Sequence, residues 1–313
     1  MGSIVLLFPG QGSQKPGMGK ELADTFPAAK EVFQRVDDAL QSSLSTLCFE
    51  GPADELTLTH NAQPALFTHG AAAWAVVREA IGAKVVAAAG HSLGEFTAYC
   101  AAGSITVDAG AKLVRRRGEI MYEVGTQRPG TMAAILGTLN RAIDEICQQA
   151  SSEAGLVVAA NYNADEQTVV SGEIAGVERA MELAKEAGAK RAMRLTVSGA
   201  FHSPLMAPAE AGLASAIADA NFVDPKFPVF SNVTEQASTS ASTAKELLVR
   251  QLTAPVKWVG EVRALAATYP DVLYVELGPG NVLSGLVSRI VPGAKTMSCG
   301  TPADVDKLMQ AVA

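Results

Sequence analysis

The chain has 313 residues, 48% of them apolar, with a formal net charge of −7. That length supports a substantial core, and one large domain with a smaller one attached is the expected arrangement. The acidic balance, and the lack of an extended lysine and arginine run, exclude a nucleic-acid partner; a small anionic substrate stays open, because one placed arginine can bind it.

Ile4 to Phe8 predicts a buried strand, not a signal peptide, because the run is short and lacks a basic leader. A glycine-rich loop follows from Pro9 to Gln14, then a helix from about Gly19 to Leu40 with Leu22, Phe26, Ala29, Phe33 and Val36 on one face. Pro64 is expected to open a helix running through Trp74 to Ala80. Lys84 to Ala89 predicts a strand, Gly90 to Gly94 a sharp turn, and Glu95 to Ala102 and Val107 to Val124 two helices.

From about Thr131 the pattern changes. Strands at Met132–Leu136, Leu156–Ala160, Gln167–Val170 and Ala192–Val197 alternate with helices at Leu139–Ser151 and Ile174–Ala187. This β-α-β-β-α-β order is that of a ferredoxin-like unit. The fold class is therefore α/β, with this ferredoxin-like unit at 129–197 inserted as a small subdomain into a larger α/β domain formed by residues 1–128 and 198–313. Beyond it come a helix at Met206–Ala218, a short strand at Pro228–Phe230 and an exposed loop at Gln236–Thr243. Helices at Ala244–Leu252 and Trp258–Ala267, a strand at Val272–Leu277, a helix through about Arg289 and a short last strand near Thr296 complete the chain.

No apolar stretch reaches the roughly 18 residues of a membrane span. Cys48, Cys100, Cys147 and Cys299 form neither a CxxC pair nor a zinc-like cluster. No metal site or disulfide framework is expected, and a reducing compartment, the cytoplasm, is favoured. The plastid stroma is the alternative for a processed chain.

Gly90-His91-Ser92-Leu93-Gly94 matches the G-x-S-x-G nucleophile elbow between a predicted strand and a predicted helix. The glycines let the chain turn steeply, the Ser92 hydroxyl stands above the sheet, and the Leu93 N–H points toward developing negative charge. A serine nucleophile needs a base. Of His60, His69, His91 and His202, His91 shares the turn and the first two lie at or within an early helix. His202, in a Gly/Pro-punctuated loop after a strand, is best placed to face the active edge. No acid stands out as its partner; Asp165, Asp219 and Asp224 qualify only by position, which points away from an ordinary hydrolase.

Five motifs carry a resemblance. They are Phe8-Pro9-Gly10-Gln11-Gly12-Ser13-Gln14, Gly90-His91-Ser92-Leu93-Gly94-Glu95, Gly199-Ala200-Phe201-His202-Ser203, Arg250-Gln251-Leu252 with Pro255-Val256, and Glu276-Leu277-Gly278-Pro279-Gly280. Over nearly its full length the chain resembles the malonyl-CoA:acyl carrier protein transacylases of bacterial-type fatty-acid synthesis; acyltransferase domains of polyketide synthases share most of these marks.

The resemblance implies a hydrolase-like α/β core with a mainly parallel sheet carrying the ferredoxin-like subdomain, Ser92 as nucleophile, His202 as base, and the backbone N–H groups of Gln11 and Leu93 as oxyanion hole. It implies Arg117, among Arg115, Arg116 and Arg117, as the clamp on the malonyl carboxylate. The main-chain carbonyl of Gln251 would orient the histidine, Phe201 would favour malonyl over methylmalonyl, and Asn161 would lie near the pocket. A guanidinium suits that carboxylate because it can donate two parallel hydrogen bonds. The expected reaction moves malonyl from malonyl-CoA to the thiol of acyl carrier protein. It needs no metal or redox cofactor, since coenzyme A is only substrate and product, and a monomer is expected. A serine hydrolase or thioesterase and a non-catalytic scaffold are the competing classes; an arginine-anchored site argues against the first, and the intact serine, histidine and arginine against the second.

Overall fold

A computed structural model describes residues 2–312. Its strands are β1 (Ile4–Phe8), β2 (Val85–Gly90), β3 (Thr131–Leu136), β4 (Val157–Ala164), β5 (Gln167–Gly172), β6 (Arg191–Arg194), β7 (Val229–Phe230), β8 (Ala237–Ser238), β9 (Leu273–Leu277) and β10 (Lys295–Cys299). They form two sheets. The larger has the order β10-β9-β1-β2-β7-β8 and is parallel except for the β7–β8 pair. The smaller has the order β4-β5-β3-β6 and is antiparallel throughout. With helices Ile143–Ala154 and Ile174–Glu186 in its connections, the smaller unit has the ferredoxin-like order.

The central strand β1 is apolar at every position because both faces of a parallel sheet are covered. Ile4, Leu6 and Phe8 enter one core, with helices Pro27–Leu40, Thr59–Ile81 and Val107–Gln127. Val5 and Leu7 enter a second core with Trp258, Val262, Leu283 and Val287. The small sheet packs its own core, including Ile135, Ile146, Val170 and Leu183, against its two helices.

Several boundaries differ from the sequence reading, each for a local reason. The helix expected over 19–40 is two helices, Lys20–Thr25 and Pro27–Leu40. Phe26, which precedes a proline, is extended (φ −116°, ψ 117°), and Pro27 takes the first position of the next helix. Pro64 does not open its helix but lies inside Thr59–Ile81. A proline there removes the bond to the carbonyl four residues back; that carbonyl, of His60, accepts from Arg115 Nη1 at 2.6 Å instead. The loop expected over 236–243 contains β8, and Ser240 caps helix Ala241–Arg250 by accepting from the Thr243 N–H. Helices Leu44–Glu50, Ala53–Thr57 and Pro302–Val312 were not expected.

Candidate active site

The site forms where two turns meet at the carboxyl edge of the large sheet. Phe8 and Gly90 are paired at the ends of β1 and β2, so the loop after β1 and the elbow after β2 lie side by side. The His91 N–H donates to the Phe8 carbonyl at 3.0 Å. The approach is too close for side chains. A Cβ on Gly94 would lie 2.0 Å from the Phe8 carbonyl oxygen, and one on Gly90 would lie 2.0 Å from the carbonyl carbon of Gly94. Ser92, held between them, has φ 52° and ψ −108°, a conformation costly for a residue with a Cβ.

Ser92 Oγ lies 2.8 Å from His202 Nε2. His202 Nδ1 lies 2.9 Å from the main-chain carbonyl oxygen of Gln251, which can only accept, so the proton is on Nδ1 and Nε2 presents a lone pair to the serine. Burial, and then the Arg117 guanidinium, hold His202 down to about 3. The imidazole is thus neutral at rest and ready to take a proton. The other histidines are engaged elsewhere. His60 packs edge-on against Tyr122, and buried His69 lies 2.9 Å from the Gly300 carbonyl. His91 Nε2 meets Asn163 Oδ1 at 2.8 Å.

Arg117 is 1% exposed. It comes from helix Val107–Gln127 and donates through Nη2 to Ser92 Oγ at 3.1 Å and to Gln251 Oε1 at 2.9 Å. Its Nη1 donates to Gln63 Oε1 at 2.8 Å, and its Nε has no acceptor among the described residues. Burial lowers its pKa to about 10, so it remains a cation at neutral pH. Arg115 and Arg116 point elsewhere: the first braces His60 and Asn61, and the second is exposed beside Glu119 and Glu123.

Ser92, His202, Arg117 and Gln63 line a cavity of about 500 Å³. Gln11, Leu93, Asn161 and Phe201 also line it, together with Met121, Met132 and the segment 195–197. The N–H groups of Gln11 and Leu93 find no protein acceptor among the described residues. Asn161 stands on β4 and makes an isolated bridge to Val256. No group of three or more His, Cys, Asp or Glu suited to a metal ion occurs among the described residues, and no described helix is long and apolar enough to cross a membrane.

The sequence reading missed the residues behind this front. Gln63 braces Arg117, and Asn232, two residues beyond β7, accepts from the Ser92 N–H at 2.7 Å. Glu95 accepts from Gln251 Nε2 at 2.7 Å, and burial pushes its carboxyl up to about 7. The quoted motif contained Glu95, but its position gives no sign of its partner. The side chain of Gln251 also does more than its carbonyl suggests, since its Nε2 donates to the Ser92 carbonyl at 3.0 Å.

Fold and site define an acyltransferase: the family model for the acyl transferase domain matches residues 5–299. The malonyl CoA-acyl carrier protein transacylase of Bacillus subtilis is 44% identical over 310 residues, which is 99% of this chain and 97% of that protein. The crystal structure of an acyl-carrier-protein S-malonyltransferase from Bartonella henselae superposes with a TM-score of 0.94 at 41% identity, covering 100% of this chain and 99% of that one. A malonyl-transacylase solved in complex with its type II PKS acyl-carrier protein gives a TM-score of 0.94 at 37% identity, covering 99% of each chain. The chain belongs to the malonyl CoA-acyl carrier protein transacylase family.

Proposed function

We propose that this enzyme transfers the malonyl group from malonyl-CoA to the phosphopantetheine thiol of acyl carrier protein through a malonyl ester on Ser92. The observation that carries the reading is that Ser92 Oγ touches His202 Nε2 at 2.8 Å and Arg117 Nη2 at 3.1 Å. A nucleophile, its base and a fixed cation for the donor's carboxylate thus share one pocket. In the first half-reaction Ser92 Oγ attacks the thioester carbon as its proton passes to His202 Nε2. The N–H groups of Gln11 and Leu93 receive the oxyanion. The C–S bond then breaks, and the CoA sulfur takes the proton from His202. In the second half, the carrier thiol gives its proton to His202 and attacks the ester, and Ser92 leaves with that proton.

In this reading Arg117 holds the malonyl carboxylate by charge-assisted bonds. Gln251 orients the base, Phe201 crowds an α-methyl branch, and Asn161 borders the acyl group. The unit at 129–197 is a subdomain that walls the pocket, with 1–128 and 198–313 as the core domain. The chemistry runs on side chains and backbone amides, with coenzyme A as substrate and product and no further cofactor. The enzyme acts as a monomer in the cytoplasm. Incubation with malonyl-CoA alone should add one malonyl mass, located on the Ser92 peptide, and acyl carrier protein should discharge it. Label confined to a cysteine, or no label, overturns the reading.

A further inference from the structure

Ser92 is held in a backbone conformation that its own residue type disfavours, so its surroundings must hold it there. One side chain that reaches the turn lies 140 positions away. Asn232 is 0% exposed. Its Oδ1 accepts from the Ser92 N–H at 2.7 Å, and its Nδ2 donates to the Gly90 carbonyl at 2.7 Å and to Glu261 Oε2 at 2.8 Å. Its own N–H donates to Glu95 Oε2 at 3.2 Å. The amide therefore grips the turn on both sides of His91, and its two N–H bonds are both used.

We infer that Asn232 is a positioning residue for acyl transfer, its side-chain amide fixing both ends of the strained turn that presents Ser92, with Glu261 fixing the amide. The chemistry of the site requires an amide. The Ser92 N–H needs an acceptor and the Gly90 carbonyl needs a donor, and a planar carboxamide supplies the two on one rigid group. With Oδ1 occupying the Ser92 N–H, the oxyanion falls to other amides, and the Leu93 N–H next in sequence has no protein acceptor. Glu261, 0% exposed and without a cationic partner among the described residues, accepts from Nδ2 and so sets which way the amide faces. Glu95 and Glu261 touch Asn232 directly; Arg117 acts on Glu95, Glu235 acts on Glu261, and Lys257, whose N–H donates to the Asn232 carbonyl, pairs with Glu235.

The inference rests on Ser92 being the acylated residue. The test uses Asn232→Asp, which keeps size and the acceptor but loses the donor unless the new carboxyl is protonated. The readout is the rate of malonyl addition to Ser92 by intact mass at several pH values, each divided by the wild-type rate. At about pH 8 the variant should be slowed ~10²-fold, the cost of displacing a reacting group by ~1 Å. The ratio should recover as pH falls, because neighbouring carboxylates raise the pKa of the new carboxyl and protonation restores a donor. Adding Glu261→Gln, which turns an acceptor into a donor toward the new carboxylate, should restore part of the rate at high pH. A ratio within ~3-fold of unity at every pH, or a loss that neither pH nor Glu261→Gln relieves in a protein with native circular dichroism, overturns the inference. Wild-type enzyme that takes no malonyl on Ser92 fails one step earlier and removes the parent reading together with this one.

Discussion

Ser92 and His202 lie 110 positions apart, yet both have a positive φ, 52° and 56°, and their side chains meet at 2.8 Å. Neither is glycine, so each conformation is imposed by its surroundings. For Ser92 the surroundings are the glycines of the elbow and the side chains of Asn232 and Gln251. For His202 the ring is held by the Gln251 carbonyl. Gln251 is common to both, and it also accepts from Arg117.

Arg117 should separate a malonyl transferase from a general serine hydrolase. Charge-assisted bonds of this kind are worth roughly 1.5–3 kcal/mol each. Arg117→Ala should therefore depress kcat/KM for malonyl-CoA far more than for acetyl-CoA, which never makes those bonds. Arg117→Lys should rescue only part, because an ammonium lacks the two-pronged geometry. Equal losses for both donors would make Arg117 a structural residue instead.

Because the Arg117 charge is the second cause of the depressed His202 pKa, after burial, its removal should also raise that pKa. Wild-type kcat/KM for acetyl-CoA should show no acid limb from the histidine near pH 6.5. The Arg117→Ala profile should turn down at a higher pH than the wild type. Superimposable profiles would show that burial alone sets the base.

Gln63 accepts from Arg117 Nη1, and its own Nε2 lies 3.3 Å from Met121 Sδ. Gln63→Leu leaves the buried guanidinium short of an acceptor and free to turn. The KM for malonyl-CoA should rise by about tenfold, the equivalent of one charge-assisted bond at the weak end of its range. Acetyl transfer should change little. A drop in kcat for both donors at constant KM would contradict this.

Gly94→Ala places a methyl against the Phe8 carbonyl and should push the elbow away from β1. Overpacking of this kind costs about 1–3 kcal/mol, readable in the urea midpoint. Malonyl labelling of Ser92 should fall even under conditions where the variant is fully folded. A stable variant with normal labelling would mean that the turn tolerates a side chain.

Buried His69 is held down to about 4, chiefly by burial. Its folded pKa is below that of the unfolded chain, so the unfolded state binds the extra proton between about pH 6.5 and 4, and stability is lost as pH falls through that window. At pH 5 the loss is roughly 2 kcal/mol, about 1.5 pH units at 1.36 kcal/mol each. His69→Gln, which can still bond to the Gly300 carbonyl, should remove that part of the acid sensitivity when urea unfolding is compared at pH 7 and pH 5. An unchanged difference between the two would assign the sensitivity to other groups.

What the sequence made legible was local. The elbow could be read because strand, turn and helix are consecutive, and β1 could be read because a strand covered on both faces is apolar throughout. His202 was found by eliminating three other histidines. The brace of the site was not legible, because its bonds join positions far apart: Ser92 to Asn232, Arg117 to Gln63, Gln251 to Glu95. Asn232 follows a two-residue strand and has no neighbour that hints at a role. Pro64 misled for the same reason, since the group that replaces its missing hydrogen bond, Arg115, comes from another helix.

The cavity has walls of two origins. Ser92, His202 and Arg117 belong to the core around the large sheet, whereas Met132 and Asn161 face them from the small sheet. The small sheet is stitched to the core at Val256, just before helix Trp258–Thr268: the Val256 N–H donates to the Ala160 carbonyl at 2.8 Å and its carbonyl accepts from the Tyr162 N–H at 2.9 Å. The three polar side chains that meet in the pocket thus all come from one of these pieces, the core. Shortening Met132 or Leu195 would enlarge the cavity and leave Ser92, His202 and Arg117 in place. Phe201 offers no such freedom, because it shares a peptide bond with His202, and a change there is felt by both.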